Sequence, residues 1–260
     1  MTSTWSVVYE KAIRDDGSLF FPQKLTHEFL AGAKRTMGSY VFANQYMNEV
    51  IPLDAQSFKR EWFKYYDQLP SPINTFVFID PAISQADTAD FTGVVVVHVD
   101  VNNRWYVSLA KRHKLTATQI VDLIFTINEQ VKPQLIGIED VAYQRALLHF
   151  TAEEMRRRNK QVPIYGVKPP PDKSKQTKIL SLVPRFEWEN IFLSRGLMDL
   201  EHELLSFPRG SHDDLIDALA SIEAITYPPQ PTKVKNEKPH SPHDPGYEKW
   251  IRDNLHRRQA

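Results

Sequence analysis

Two carboxylates in the sequence each follow a run of apolar residues directly. Asp80 ends Phe-Val-Phe-Ile-Asp, and Glu139 ends Leu-Ile-Gly-Ile-Glu. An acid at the end of a buried strand is costly unless it is paired, and two such acids on neighbouring strands repel each other. Either one carboxyl stays protonated or a cation lies between them, at the strand end where open α/β sheets bind ligands. Taken singly, each acid is also consistent with a helix cap or with a strand that ends at the surface.

A third acidic element, Ser-His-Asp-Asp-Leu-Ile-Asp-Ala-Leu-Ala, covers residues 211–220. Its spacing predicts a helix on which Asp214 and Asp217 share one face. Asp213 and Asp214 fall in the first turn, where the helix dipole favours negative charge. A helix that is simply capped by surplus aspartates is the alternative interpretation of this motif.

Together the three acidic elements predict a site for Mg²⁺ or Mn²⁺, because they offer oxygen ligands only. Two ions about 3.5–4 Å apart would stabilise both the attacking and the leaving oxygen of a phosphodiester. Asp90, on the loop before the second predicted strand, is a candidate auxiliary ligand or a simple turn residue. His212 and Asp217 are candidates for orienting the ligands from behind.

The segment 156–185 is strongly basic in a chain whose formal net charge is zero. It carries nine Lys and Arg residues against one acid, Asp172. Such a local field suits phosphate groups, although a solvated helix face and loop would look similar. The candidate DNA-binding residues in this segment are Lys168, Lys173, Lys175, Lys178 and Arg185.

The elements that must position these residues alternate in type. Apolar runs predict strands at Phe76–Ile79, Gly93–Val99, Arg104–Ala110, Leu135–Ile138 and Ile164–Val167. Helical spacing predicts helices at Thr116–Val131, Tyr143–Arg158, Ser174–Trp188 with a break at Pro184, Asp199–Leu205 and Asp213–Ile225. An antiparallel hairpin that leads into parallel strands, with helices between them, predicts an α/β protein of the ribonuclease-H-like fold. We therefore expect a mixed sheet of five or more strands with helices on both faces.

Three regions are expected along the chain. Residues 1–70 are rich in aromatic side chains, with a helix predicted at Thr26–Thr36, and form a lead-in that packs on the second region. That second region, residues 71–227, forms the α/β domain. Residues 228–260 are rich in proline and polar residues, which predicts a disordered or extended tail.

Composition excludes several classes of function. The chain has no cysteine, so disulfides and cysteine-based metal or thiol chemistry are ruled out. No stretch of about 18 apolar residues predicts a membrane span, and residues 1–11 lack the layout of a signal peptide. No Gly-x-x-x-x-Gly-Lys-[Ser/Thr] loop occurs, so no P-loop ATPase is expected within this chain.

Several of these motifs resemble the nuclease domain of the large terminase subunit of tailed bacteriophages, a DNA-packaging protein. The final motif at 207–219 is the most specific of them, and the likeness extends over roughly residues 5–227. The segments that carry it in the α/β domain are Phe78-Ile-Asp80-Pro-Ala, Asp90-Phe-Thr, Ile136-Gly-Ile-Glu139, Lys173, Pro184-Arg-Phe186 and Phe207-Pro-Arg-Gly-Ser-His212-Asp-Asp214-Leu-Ile-Asp217-Ala-Leu. In the lead-in they are Asp16-Gly-Ser-Leu-Phe-Phe-Pro22 and Gln45-Tyr-Met-Asn48.

The resemblance implies a divalent-metal-dependent endonuclease that cuts concatemeric double-stranded viral DNA during genome packaging into capsids. By motif, Asp80, Glu139 and Asp214 would be the catalytic, metal-binding triad, with Asp213 and Asp90 as further ligands. The implied partners are double-stranded DNA, a terminase ATPase module, the small terminase subunit and the portal protein, in the cytoplasm of an infected bacterium. A junction resolvase or integrase-like nuclease of the same fold, and a non-catalytic DNA-binding docking module of a packaging motor, are the alternatives.

Overall fold

The computed structural model describes residues 8–49, 57–81, 91–139, 144–168 and 174–230. Two predicted site residues, Asp90 and Lys173, and nearly all of the proline-rich tail lie outside these ranges. The chain divides into two compact units, Met1–Pro229 and Gln230–Ala260, and the described helices and strands belong to the first. Among the described helices, none has both the length and the apolar character that a membrane span requires.

The first unit contains a seven-stranded mixed sheet with helices on both faces. The strands are β1 Lys64–Tyr65, β2 Ile73–Asp80, β3 Thr92–Asp100, β4 Trp105–His113, β5 Leu135–Glu139, β6 Ile164–Val167 and β7 Ile191–Leu193. The helices are α1 His27–Tyr46, α2 Ala117–Val131, α3 Gln144–Arg158, α4 Lys175–Leu180, α5 Val183–Glu187, α6 Met198–Ser206 and α7 Asp214–Ser221. Short 3₁₀ turns lie at Arg60–Trp62 and Ile222–Ala224.

The strand order is β1-β7-β4-β3-β2-β5-β6. Strands β2, β3 and β4 pair antiparallel, and β5 and β6 add to β2 in parallel. This arrangement confirms the predicted ribonuclease-H-like fold. Two further short strands, β7 and β1, extend the sheet in parallel beyond β4. With three and two residues, they are too short to give a period in the sequence.

Strand alternation divides the core into two layers. Phe76 and Phe78 of β2 point toward α4, α5, α6 and α7, where they join a large buried cluster. Val77 and Ile79 point to the other face, where they pack against α2 and α3. Side chains of a strand alternate between faces, so Asp80 lies on the face covered by α7.

Both ends of α2 depend on local structure. Thr116 and Gln119 form a reciprocal capping box at the start of α2, and Lys132, in the left-handed region, ends that helix. The predicted helix Ser174–Trp188 is interrupted, but before Pro184. At Ser181 and Leu182 the backbone keeps right-handed helical angles and forms i→i−3 hydrogen bonds, and Pro184 lies in the first turn of α5, where its missing N–H costs nothing.

The lead-in is fixed to the α/β domain at a break in α1. Gly38 has a φ of 79°, which interrupts the helix and leaves the backbone N–H of Ser39 without a partner inside α1. The carboxylate of Glu187, on α5, accepts that N–H at 2.8 Å and also the Ser39 hydroxyl. A side chain of the α/β domain therefore caps the second half of α1.

Candidate active site

The two strand acids are neighbours at the carboxyl edge of the sheet. Strands β2 and β5 run parallel with Phe78 opposite Gly137 and Ile79 opposite Ile138, and the next residues are Asp80 and Glu139. Phe78 faces Gly137, where a Cβ would lie 2.7 Å from the Phe78 ring. Asp80 and Glu139 lie two positions beyond Phe78 and Gly137, so both point to the face that α7 covers.

Helix α7 reaches this edge because of a glycine. Gly93 of β3 pairs with Asp80, and a Cβ at position 93 would lie 2.8 Å from the backbone carbonyl oxygen of Asp214. A side chain larger than hydrogen would push the first turn of α7 away from the sheet. The absence of a Cβ therefore allows all three predicted acidic elements to converge.

Asp217, one turn into α7, is the helix acid whose charge acts on Asp80. Burial is the main cause that raises the pKa of Asp80 to about 7, and the charges of Asp217 and Glu139 raise it further. Lys178 and Lys175 oppose this shift. Asp217 is only 8% exposed, and its Oδ1 atom is buried against the ammonium group of Lys178. The residue predicted to orient the ligands thus lies within the cluster itself.

Lys178 of α4 lies between two of these acids. Its Nζ is 2.5 Å from Oδ1 of Asp217 and 3.8 Å from Oε1 of Glu139. It also donates a hydrogen bond to the Ser221 hydroxyl at 3.0 Å. Its ammonium group therefore neutralises part of the negative charge that a bound metal ion would neutralise.

Lys175 occupies the outer side of the same cluster. Its Nζ lies 2.8 Å from Oδ1 of Asp213 and 3.5 Å from Oδ2 of Asp217. Burial alone would lower the pKa of Lys175, but the hydrogen bond to Asp213 and the charge of Asp217 outweigh burial and raise it. The sequence indicated a DNA contact for both α4 lysines, and it gave no signal that they would face carboxylates.

The two aspartates at the start of α7 do not act as its cap. Asp213 occupies the N-cap position, but its side chain makes no capping hydrogen bond. Burial is the main cause that raises the pKa of Asp214, and the charge of Asp213 adds to it while Lys175 opposes it. The capping bonds come instead from Glu203 of α6, a residue that no sequence motif singled out.

A cleft opens beside the acids on the side of β6. It has a volume of about 220 Å³. Its lining includes Glu139, Lys168, Lys178, Ser221 and Glu223. A larger cavity of about 950 Å³ lies elsewhere, between α1 and α5, and its lining does not include the strand acids.

Two other predicted residues have different surroundings. The Arg185 guanidinium stacks 4.1 Å over the Trp105 ring and donates to Glu223 and to the carbonyl of Asn103, a residue of the β3–β4 turn. That turn lies at the end of the sheet opposite Asp80, so Arg185 is not brought to the acids. His212 lies at the cluster's rim and contacts the Phe91 ring edge-on, with centroids 5.6 Å apart.

The donor set fits a divalent cation by its chemistry. Among the described residues no three acidic or histidine side chains converge tightly enough to ligate one ion as they stand. Five carboxylates nevertheless lie around only two ammonium groups. The surplus negative charge and the oxygen-only ligands suit Mg²⁺ or Mn²⁺. The acids concerned are Asp80, Glu139, Asp213, Asp214 and Asp217.

No protein-family model matches this sequence, and no curated protein matches it by sequence. Solved structures do match its fold. The large terminase of a thermophilic bacteriophage has a TM-score of 0.54 at 10% identity, over 77% of this chain and 51% of the terminase chain. The same terminase in complex with ADP has a TM-score of 0.53 at 12% identity, over 77% and 52% of the two chains.

The terminase nuclease domain of human cytomegalovirus has a TM-score of 0.46 at 17% identity, over 68% of this chain and 96% of that domain. The chain spans about half the length of the phage large terminase that it matches. The matches to the phage large terminase confirm the predicted likeness in fold.

Proposed function

We propose that this protein is a divalent-metal-dependent endonuclease that cuts double-stranded DNA. The observation that carries this proposal is the convergence of Asp80, Glu139 and the acids of α7 at the carboxyl edge of a ribonuclease-H-like sheet, on one face. Such a cluster is electrostatically unfavourable by itself and gains most from bound cations. The likeness in fold to a phage large terminase supports the same activity.

Asp80 is the central ligand in this proposal because it lies between Glu139 on the adjacent strand and α7 on the facing layer. Asp80 would hold both ions, and Glu139 and Asp214 would hold one each, with Asp213 and Asp90 as further ligands. When bound, the divalent ions supply an activated water and stabilise charge on the phosphodiester oxygens. Asp217 and Lys178 orient this set from within the cluster.

The raised pKa of Asp80 determines the protonation state of the metal-free site. Because its pKa is about 7, Asp80 carries a proton during a large part of the time at neutral pH when no cation compensates its neighbours. Ligands of a divalent ion must be ionised, so occupation of the site releases that proton. Cleavage should therefore increase with pH through neutrality.

Substrate positioning falls to the basic groups around the cleft. Lys168 is exposed at the end of β6 and lines the cleft together with Glu139 and Lys178. Lys173 would add to it from the adjoining segment. Phosphate contacts carry no sequence information, so we expect DNA of any sequence to bind.

In the cell, we infer that the cut is made on concatemeric viral DNA during packaging in the bacterial cytoplasm. The likeness to a large terminase supports this role. A terminase ATPase module, the small terminase subunit and the portal protein would be its partners.

The test is a cleavage assay with Mn²⁺ on three substrates: supercoiled plasmid, linear duplex and a four-way junction. We expect cleavage of plasmid and duplex, and its loss in Asp80→Ala, Glu139→Ala and Asp214→Ala with DNA binding retained. Glu129→Ala, on the exposed surface of α2, serves as the control and should cleave normally. Cleavage confined to the junction would indicate a resolvase, and DNA binding without any cleavage would indicate a docking module. Either result would contradict the proposal.

A further inference from the structure

Helix α7 begins without capping by its own residues. Its N-cap is Asp213, a residue type that usually accepts hydrogen bonds from the backbone of the first turn. Here the Asp213 side chain makes no such bond and pairs with Lys175 instead. The unpaired N–H groups of the first turn must therefore be satisfied from another element.

Glu203 of α6 satisfies them. Its Oε2 accepts the backbone N–H of Leu215 at 2.8 Å and that of Ile216 at 3.2 Å. These are the second and third residues of α7, the two that an N-cap side chain usually serves. Glu203 is 1% exposed, so water does not compete for these bonds. One buried carboxylate thus replaces the local cap of α7.

A basic residue of the sheet lies beside Glu203. Arg112 Nη1, on β4, lies 3.6 Å from Oε1 of Glu203, and Arg112 stacks over the Phe91 ring. Arg112 pairs in the sheet with Gly93, where the first turn of α7 approaches most closely. The cap and the close approach therefore act on the same turn of α7.

We propose that Glu203 is a positioning residue: it caps α7 from α6 and thereby leaves Asp213 and Asp214 free to face the acidic cluster. Without Glu203, the side chain of Asp213 is the nearest alternative cap. It would turn toward the N–H groups of its own helix and away from Lys175. The first turn of α7 would then lose the hydrogen bonds that Glu203 accepts from Leu215 and Ile216.

The capping role predicts a double-mutant cycle that does not depend on any nuclease activity. In the wild-type protein, Asp213→Ala should change the unfolding equilibrium constant by less than about three-fold, since that side chain does not cap. In the Glu203→Ala background, the effect of the same substitution on this equilibrium constant should be about five-fold larger. That factor corresponds to the loss of one N-cap. Urea unfolding measures both. Additive effects would overturn the proposal.

The positioning role predicts a change in metal affinity, and this part rests on the proposed function. Glu203→Gln keeps the length of the side chain and an accepting oxygen, so Mn²⁺ should bind within about three-fold of wild type. Glu203→Asp keeps the charge but falls short of both N–H groups, so the Mn²⁺ dissociation constant should rise about tenfold, as for other residues that orient ligands. Isothermal titration calorimetry of the purified chain measures both constants.

Leu200→Ala is the matched control, because Leu200 lies on the same helix and is fully buried in the core. It should lower stability and leave Mn²⁺ affinity unchanged. If it weakens Mn²⁺ binding as much as Glu203→Asp does, general destabilisation explains the effect and the proposal fails. If Glu203→Asp retains the Mn²⁺ affinity and Glu203→Gln loses it, the charge of Glu203 matters and the length of its side chain does not. That result also contradicts the proposal. Failure of the wild-type protein to bind Mn²⁺ would contradict the proposed function and leave the capping cycle to decide the role of Glu203.

Discussion

At the scale of single residues, the acids of the cluster differ in their positions relative to Asp80 more than the sequence indicates. The motif predicts Asp214 as the helix member of the triad and Asp217 as a residue behind it. In the structure, the charges that raise the pKa of Asp80 come from Asp217 and Glu139. The rotation of α7 about its axis decides how each of its aspartates lies relative to Asp80. Spacing within one helix cannot define that rotation, because it depends on packing against β3 at Gly93.

Asp80 should give the metal-free protein a specific pH dependence. Its pKa is about 7 in the folded state and near 3.8 in the unfolded chain, so the folded state binds more protons between these values. The free energy of unfolding should therefore fall as pH rises from about 4 to 7, by at most about 1.4 kcal/mol per pH unit. Urea unfolding across this range should give a flatter dependence for Asp80→Asn.

Mg²⁺ supplies the control for this measurement. At a pH of about 7.5 it should stabilise the wild-type protein more than Asp80→Asn, because it binds the folded acids and not the unfolded chain. The same pH dependence in both proteins, with the same response to Mg²⁺, would mean that Asp80 is an ordinary surface acid.

At the scale of elements, the site depends on how α7 and α4 lie against the sheet. The antiparallel hairpin, the helix at Thr116–Val131 and the parallel pairing of the two acidic strands could all be obtained from the sequence. The role of Glu203 could not, because a lone glutamate in a short helix resembles any surface acid. The sequence also does not define the partners of the α4 lysines, because a basic run suits phosphate and carboxylate groups alike.

Gly93→Ala should displace α7. The new Cβ would lie 2.8 Å from a backbone oxygen of Asp214, and backbone gives way less easily than a side chain. We expect a loss of about 1–3 kcal/mol in the free energy of unfolding and a lower rate of plasmid cleavage. Gly32→Ala in α1 is the control, because nothing lies within 4 Å of its new Cβ and alanine favours a helix. A Gly93→Ala protein with normal stability and cleavage would show that α7 does not depend on this close approach.

Lys168 should contribute to DNA binding through phosphate contact. Replacing it by alanine should weaken binding about equally for all sequences and reduce the log–log salt slope by roughly 0.9. Lys132→Ala is the matched control: Lys132 is also exposed, but it lies beyond α2, next to the start of β5 and away from Glu139. Fluorescence anisotropy at several salt concentrations measures both slopes. If the salt slope changes equally in the two variants, or changes in neither, the cleft does not position DNA.

At the scale of the whole molecule, one sheet edge collects residues that are far apart in the sequence. The order of elements predicts this edge, because β2 and β5 must be neighbours in the ribonuclease-H-like arrangement. The extension of the sheet by β7 and β1 and the capping of α1 by Glu187 could not be predicted, since both depend on contacts across the folded unit. The central claim is that the segments around residues 80, 139 and 213–217 form one divalent-cation site.

Affinity cleavage by iron tests this claim most directly. Fe²⁺ accepts oxygen ligands in place of Mg²⁺, and with ascorbate and peroxide it generates radicals that cut the polypeptide backbone close to the bound ion. We expect three groups of cuts, near Asp80, near Glu139 and within 213–217, that excess Mg²⁺ suppresses and that Asp80→Asn abolishes. Cuts at only one of these segments, or at other places in the chain, would contradict a single metal site built from the three.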